Sequence, residues 1–208
     1  MSFVDFFNPQ NLIQYGGLVL LLFIIFAETG LFFGFFLPGD SLLFVAGLLT
    51  TSKYIDQPVG ILVLLLVIAA FLGTCVGYFF GRWANRFRPK KDNFFFKQKY
   101  LDMAQGFYDK YGMMAFIVGR FLPIVRTFVP ILAGMVRIDF KKFLIYNLLG
   151  AILWITTLVM AGYWLGNLFP GLVDNVEFII VTLIIITSIP VIISYRKARL
   201  TRAQNVIE

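Results

Sequence analysis

One motif occurs twice in this chain, at an offset of 85 residues. The stretch from Gly34 to Pro38 reads GFFLP and returns as GRFLP ending at Pro123, and 39 residues after each proline a G-Y-x-x-G sequence begins, at Gly77 and at Gly162. Each copy interrupts an apolar run with proline or glycine and places charged residues beside the interruption. Interrupted hydrophobic segments in matching halves are typical of transporters with a binding site near the bilayer midplane. The duplication therefore predicts two equivalent units built around broken helices.

The composition indicates that these units lie in a membrane. Hydrophobic residues make up 60% of the chain and charged residues 14%, whereas soluble domains carry roughly one quarter charged residues. The mean hydropathy is +0.85. We therefore expect an all-α integral membrane protein, because helices satisfy their own backbone hydrogen bonds in hydrocarbon. The sequence contains no histidine and only one cysteine, Cys75, so it excludes imidazole proton relays, His-containing zinc sites and an internal disulfide. We expect no metal and no cofactor.

The pattern of apolar runs predicts one membrane domain, residues 15–195, between two flanking segments. The first half is predicted to contain an interfacial stretch at 1–14 and a first repeat at about 15–84. This repeat consists of a helix, a break and a short return helix within 15–50, followed by a polar turn at 51–58 and a spanning helix at 59–81. A basic loop at 85–110 follows, with an amphipathic helix near 97–111. The second repeat, at about 111–169, is predicted to contain a broken segment at 112–134 and a span at 143–168. A last span at 176–195 and a basic tail at 196–208 complete the prediction.

The basic residues orient the chain. Lys and Arg cluster in the 85–110 loop, in the 137–142 turn and in the tail, and such loops stay on the cytoplasmic side. A single spanning helix separates the two broken segments, so if both are re-entrant they enter from opposite faces. The predicted fold is thus an inverted repeat of two re-entrant broken helices plus spanning helices. The net charge of +7 comes from these clusters, which favour contact with anionic lipid headgroups over binding of nucleic acid.

Four charged residues lie inside or at the tips of the apolar segments: Glu28, Asp40, Arg120 and Arg126. Ionised side chains at this depth normally face a cavity and pair with each other, because each costs about 2.5–3.5 kcal/mol on insertion scales. Two guanidinium groups in a water-accessible cleft form a phosphate site, since the planar fork binds phosphate oxygens bidentately. The two carboxylates are predicted to hold the arginines when the site is empty, or to exchange protons as substrate displaces them.

Proline and glycine residues give the chain the freedom to bring these charges together. The candidate break residues are Pro38, Gly39, Pro123 and Pro130, because proline removes a backbone donor and interrupts a continuous helix. The alternative interpretation is simpler: Asp40 caps a helix over 41–50, and the arginines are interface anchors.

The motifs around these charges resemble the DedA family, whose members share the VTT, or SNARE-associated, domain. The similarity rests on Glu28, on F-x-P-G-D ending at Asp40, and on G-R-F-x-P-x-x-R-T-F-x-P-x-x-A-G from Gly119 to Gly134, and it extends over roughly residues 10–170. It implies two re-entrant segments that face each other in a multi-pass protein of the bacterial inner membrane. The implied role is movement of a phospholipid or undecaprenyl phosphate across the bilayer, with proton coupling and with Glu28, Asp40, Arg120 and Arg126 as the functional residues.

Two other classes of function stay open at this point. A membrane enzyme acting on lipid phosphates would need a nucleophile and an acid or base, but no Ser, Cys or Asp cluster accompanies the arginine pair, so we expect no enzyme. A scaffold protein without transport is compatible with apolar helices rich in glycine and aromatic residues, which also form packing surfaces. The sequence leaves the oligomeric state open between a monomer and a homodimer.

Overall fold

The computed structural model describes residues 9–31, 34, 37–50, 55, 57–86, 112–169 and 171. The regular structure in this part of the chain is entirely helical, which confirms the all-α expectation for these residues. The predicted amphipathic helix near 97–111, the last span at 176–195 and the basic tail lie outside the described residues. So do most of the basic loop and the first eight residues of the interfacial segment.

Six α-helices and two short 3₁₀ turns make up the described structure. The helices are α1 (Pro9–Gly30), α2 (Gly39–Leu49), α3 (Val59–Arg86), α4 (Ala115–Val118), α5 (Pro123–Met135) and α6 (Phe140–Leu168), with 3₁₀ turns at Gly112–Met114 and Gly119–Phe121. Two of them, α3 and α6, are long and apolar enough to cross a membrane, with apolar stretches of 26 and 29 residues. A bilayer core needs about 20 residues. Both lie where the sequence predicted spanning helices.

The backbone breaks coincide with two of the four candidate residues. Pro38 is the residue that precedes α2, and Pro123 is the first residue of α5, directly after Leu122 in an extended conformation (φ −112°, ψ 110°). A residue before proline is pushed out of the helical region, and the fixed φ of proline suits the first position of a helix. Gly39 then opens α2.

The prediction of a break at Pro130 was wrong. Pro130 lies inside α5, and the helix continues through it to Met135. Proline removes one backbone donor from a helix but does not always end it, particularly when neighbouring helices support the kinked segment. Both the 3₁₀ turn and the extended residue Leu122 precede α5, so the interruption of the helix in this unit lies on the N-terminal side of Arg126.

Each short helix packs against the long helix of the other half of the chain: α2 lies on α6 and α5 lies on α3. Glycine permits both close approaches. A Cβ at Gly47 or Gly162 would collide with the backbone of the opposite helix in the α2–α6 contact, and a Cβ at Gly81 or Gly134 would do so in the α5–α3 contact. Small residues that let backbones approach are the usual basis of helix packing in membranes. Because each short helix packs on the long helix of the other half, the two halves are held together and the two breaks lie near each other.

The interior and exterior of the bundle have different side chains. Trp154, Leu43, Leu62 and other apolar residues of α1, α2, α3 and α6 form one buried cluster, while large apolar side chains such as Leu64 and Leu153 point outward and are about half exposed. An outward-facing apolar surface of this extent suits a hydrocarbon environment rather than water. The polar interior described next is therefore enclosed by the protein itself.

Candidate functional site

Arg126 lies at the meeting point of both broken units. Its guanidinium group donates through Nη2 to Oε1 of Glu28 and through Nη1 to Oδ1 of Asp40, the latter at 2.7 Å. Arg126 is on the second turn of α5, Glu28 is on the last turn of α1, and Asp40 is on the first turn of α2. One arginine therefore joins three helices across the two breaks. This is the pairing expected of charges that cannot be left alone in an apolar interior.

Local backbone geometry explains why the two carboxylates converge. The break between α1 and α2 brings Gly39 so close to Glu28 that an added Cβ would overlap its carboxylate. Asp40 follows in the first turn of α2, where the helix dipole favours a negative charge. Asp40 does not act as the predicted helix cap, since Pro38 occupies that position without a side-chain hydrogen bond. The carboxylate of Asp40 is directed to Arg126 instead.

Trp154 on α6 completes this group. Its indole Nε1 donates to Oδ1 of Asp40 at 2.9 Å, and its ring lies 4.3 Å from Cζ of Arg126. The first contact is a charge-assisted hydrogen bond, and the second has cation–π geometry. Trp154 is 1% exposed, so both contacts are made in the protein interior. Trp154 therefore contacts both members of the Arg126–Asp40 ion pair.

Arg120 is buried nearby but has different partners. Its Nη2 donates to Oγ1 of Thr74 at 2.9 Å and to Oδ1 of Asn147. A Cβ at Gly150 would press on the Arg120 side chain, so the glycine provides the space that the arginine occupies. No carboxylate among the described residues lies within ion-pair distance of Arg120. The expectation that both arginines face the carboxylates is met by Arg126 and not by Arg120.

A small cavity lies between the two arginines. Its volume is about 10 Å³, and the residues that line it besides the arginines include Thr74, Val125, Val129, Pro130 and Asn147. This is about the size of one water molecule. Nη1 of Arg120 and Nε of Arg126 are buried and have no hydrogen-bond partner in the described part of the chain. Each arginine thus has a buried nitrogen that makes no hydrogen bond to the described residues.

The charges balance within the group but not within each pair. The group contains two guanidinium groups and two carboxylates, yet both carboxylates are paired with Arg126. Glu28, Arg120 and Arg126 are at most 3% exposed, while the side chain of Asp40 is 32% exposed. Asp40 is therefore the member of this group with the most direct access to the surroundings. Within the described ranges, no cluster of Cys, Asp and Glu side chains could hold a metal ion.

Sequence analysis did not identify Thr74, Asn147 or Trp154. Asn147 and Trp154 are seven residues apart on α6, which places them on one face of the helix, toward the arginines. A polar residue within a predicted span is itself a sign of an interior contact. That sign was available at Asn147 and Thr74, while nothing in the sequence separated Trp154 from the other aromatic residues.

Comparison with known proteins agrees with the motifs of this site. The VTT domain model matches residues 37–164. The chain is 39% identical over 193 residues to Protein DedA of Escherichia coli (strain K12), which covers 91% of this chain and 88% of that protein. It is 38% identical over 197 residues to Uncharacterized membrane protein Rv0364 of Mycobacterium tuberculosis (strain ATCC 25618 / H37Rv), covering 92% and 84% of the two chains.

A further relative is Inner membrane protein YqjA of Escherichia coli (strain K12), with 37% identity over 165 residues that cover 78% of this chain and 74% of that protein. The names of Rv0364 and YqjA describe membrane proteins, and none of the three names states an enzymatic activity. No solved structure matches the chain.

Proposed function

Because the chain belongs to the DedA family of VTT-domain membrane proteins, we propose that it moves a phosphate-bearing lipid, such as undecaprenyl phosphate or phosphatidylethanolamine, across the bacterial cytoplasmic membrane. One observation carries the proposal: two buried guanidinium groups line one cavity at the junction of the broken helices, each with a buried nitrogen that makes no hydrogen bond to the described residues. Arginine forks bind phosphate oxygens bidentately, and lipid headgroups are the phosphate source that a membrane supplies.

The two carboxylates neutralise Arg126 when no ligand is bound. In the described conformation Glu28 and Asp40 hold Arg126, and the cavity has room for one water molecule and not for a phosphate group. A lipid phosphate that binds the two Nη nitrogens of Arg126 must displace the carboxylates, and Asp40 is the more exposed of the two. A displaced carboxylate in this apolar interior gains from taking up a proton. The proposed mechanism is therefore proton-linked exchange of one anion for another on Arg126.

The packing of the helices supports the proposed inverted repeat. α2 and α5 occupy equivalent positions in the 85-residue offset, as do α3 and α6, and each short helix packs on the long helix of the other half. Such an exchange is expected when two units of the same sequence meet with opposite orientation. We propose that α1 with α2, and the segment from Gly112 to Met135, are the two re-entrant units.

The proposed orientation places the basic segments in the cytoplasm. The 85–110 loop would also contact anionic lipid headgroups. In a variant with Cys75 replaced by Ala, a membrane-impermeant thiol reagent added to intact cells should label a cysteine at Ser52 and not one at Asn93. The opposite labelling pattern contradicts the orientation. Both positions lie outside the described residues.

Reconstitution tests the transport function directly. Purified protein in liposomes that contain a fluorescent lipid should accelerate its movement between leaflets and leave the headgroup unchanged. Arg126→Gln should abolish this movement, while Arg137→Gln, which removes the same charge from an exposed position, should preserve it. A chemically converted headgroup would identify an enzyme, and the absence of both activities in the wild type would favour a scaffold.

A further inference from the structure

Arg120 differs from Arg126 in what compensates its charge. Arg126 has two carboxylates, whereas the acceptors of Arg120 are the neutral oxygens of Thr74 and Asn147. Arg120 is 3% exposed. A buried cation without a counter-ion carries a large desolvation cost. Among the described residues, Arg120 is therefore a guanidinium group that an incoming anion can neutralise without first displacing a carboxylate.

The neutral partners of Arg120 are held in position by α3. The hydroxyl group of Thr74 donates to the carbonyl oxygen of Ala70 at 2.6 Å, so its lone pairs remain for Arg120. Nδ2 of Asn147 donates to the carbonyl oxygen of Phe71 at 3.5 Å, which directs Oδ1 toward the guanidinium group. These contacts hold Nη2 of Arg120, and Nη1 is a buried nitrogen that has no hydrogen-bond partner among the described residues.

We propose that Arg120, Thr74 and Asn147 form a separate anion subsite, which receives the phosphate group of the ligand once the adjoining cavity widens on the Arg120 side, while Arg126 is still held by its carboxylates. The proposal rests on the proposed function and divides the work between the two arginines: Arg120 docks the phosphate group, and Arg126 releases its carboxylates in a second step. The ligand class is a phosphate monoester or diester anion, carried by a lipid or free in solution.

Asn147→Asp separates this role from a purely structural one. The carboxylate is nearly isosteric with the amide and gives Arg120 a permanent counter-ion. If Arg120 only connects helices, the new ion pair leaves the function of the protein intact. If Arg120 docks phosphate, the new carboxylate competes with the ligand, and affinity should fall about tenfold or more, since hydrogen bonds to charged groups are the strong ones.

The experiment measures the binding of two probes, inorganic phosphate and a short-chain phosphatidic acid, to the full chain in detergent by isothermal titration calorimetry. We expect Asn147→Asp to weaken binding about tenfold or more and Asn147→Ala to weaken it less. Asn167→Asp, at an exposed position on the same helix, is the matched control and should bind like the wild type. Comparable wild-type affinities for the two probes identify the phosphate group itself as the ligand, and a strong preference for phosphatidic acid identifies a lipid ligand.

Three results overturn the subsite: no saturable binding of either probe to the wild type, unchanged affinity in Asn147→Asp, or equal losses in the Asp and Ala variants. Thermal unfolding of each variant establishes that it is folded, and Thr74→Asp, which brings a carboxylate to the same guanidinium group from α3, carries the same expectation if Asn147→Asp does not fold. The liposome assay separates the two proposals. Phosphate binding that is lost in Asn147→Asp, together with a wild type that moves no lipid, retains the subsite and refutes the transport function. Lipid movement with unchanged phosphate affinity in Asn147→Asp does the reverse.

Discussion

The hydrogen bond between Trp154 and Asp40 allows a quantitative test of the site. Trp154→Phe removes the Nε1 donor, which lies 2.9 Å from Oδ1 of Asp40, and keeps an aromatic ring near Arg126. Hydrogen bonds to charged groups contribute about 1.5–3 kcal/mol. Asp40 is one-third exposed, so solvent screens part of this energy and we expect the lower end, about 1.5 kcal/mol.

A double-mutant cycle isolates this bond from the loss of indole volume. Trp154→Phe, Asp40→Ala and the double variant are compared by thermal unfolding in detergent, because the volume loss occurs in both backgrounds and cancels. Cys75 is half-buried and is the only cysteine of the chain, so a thiol-reactive dye reports unfolding without further engineering. For a chain of this length 1 kcal/mol corresponds to about 2–4 °C, so a coupling of about 1.5 kcal/mol appears as about 3–6 °C.

Trp164→Phe is the matched control, since Trp164 lies on the same helix and is 63% exposed. It should leave the unfolding temperature nearly unchanged. Additive effects of Trp154→Phe and Asp40→Ala, or equal unfolding temperatures for Trp154→Phe and Trp164→Phe, would refute the assigned contact and with it the description of Trp154 as a residue that positions the ion pair.

Three further predictions concern the same group. Arg126→Lys keeps the charge but loses the fork that binds Glu28 and Asp40 separately, so lipid movement in liposomes should fall nearly as far as in Arg126→Ala; wild-type rates in the Lys variant would reduce Arg126 to a generic charge. Gly39→Ala pushes a methyl group into the Glu28 carboxylate and should destabilise the protein by about 1–3 kcal/mol. Gly60→Ala, which faces open space on a helix, should stabilise it by up to about 1 kcal/mol; equal unfolding temperatures for these two glycine variants would contradict the crowding. Glu28→Gln and Asp40→Asn should each flatten the pH dependence of transport, and two variants with the wild-type pH profile would exclude these residues as proton carriers.

The positions of the breaks and the pairing of Arg126 were accessible from the sequence because both follow from local or strongly constrained physics. Pro38 and Pro123 fix the start of their helices through their own backbone geometry. Glu28 and Asp40 had to find a cation because an unpaired charge at this depth is too costly. Neither argument needs the packing of the whole chain.

The partners of Arg120 could not be predicted in the same way. Charge balance requires that two arginines and two carboxylates meet, but it does not say which arginine takes both carboxylates. That depends on the path of the chain at Leu122, which puts Arg120 in the 3₁₀ turn before the break and Arg126 on the helix after it. The predicted break at Pro130 was wrong for a different reason. A rule for isolated helices was applied there to a helix that is supported by its neighbours.

The division between the two arginines bears on how such a site can open. A ligand shifts a conformational equilibrium only by the difference in its affinity for the two states. In the described state Arg126 has both of its ion pairs, and the cavity beside it is the size of one water molecule. Separating these ion pairs without a ligand would leave buried charges without partners. A phosphate group bound first at Arg120 would bring a replacement anion beside Arg126 before any carboxylate leaves. Release of Asp40 and Glu28 then exchanges one ion pair for another, and the net cost of opening falls to the difference between two similar interactions. Arg120, which is buried and has no carboxylate partner among the described residues, is the feature that makes this order of events accessible.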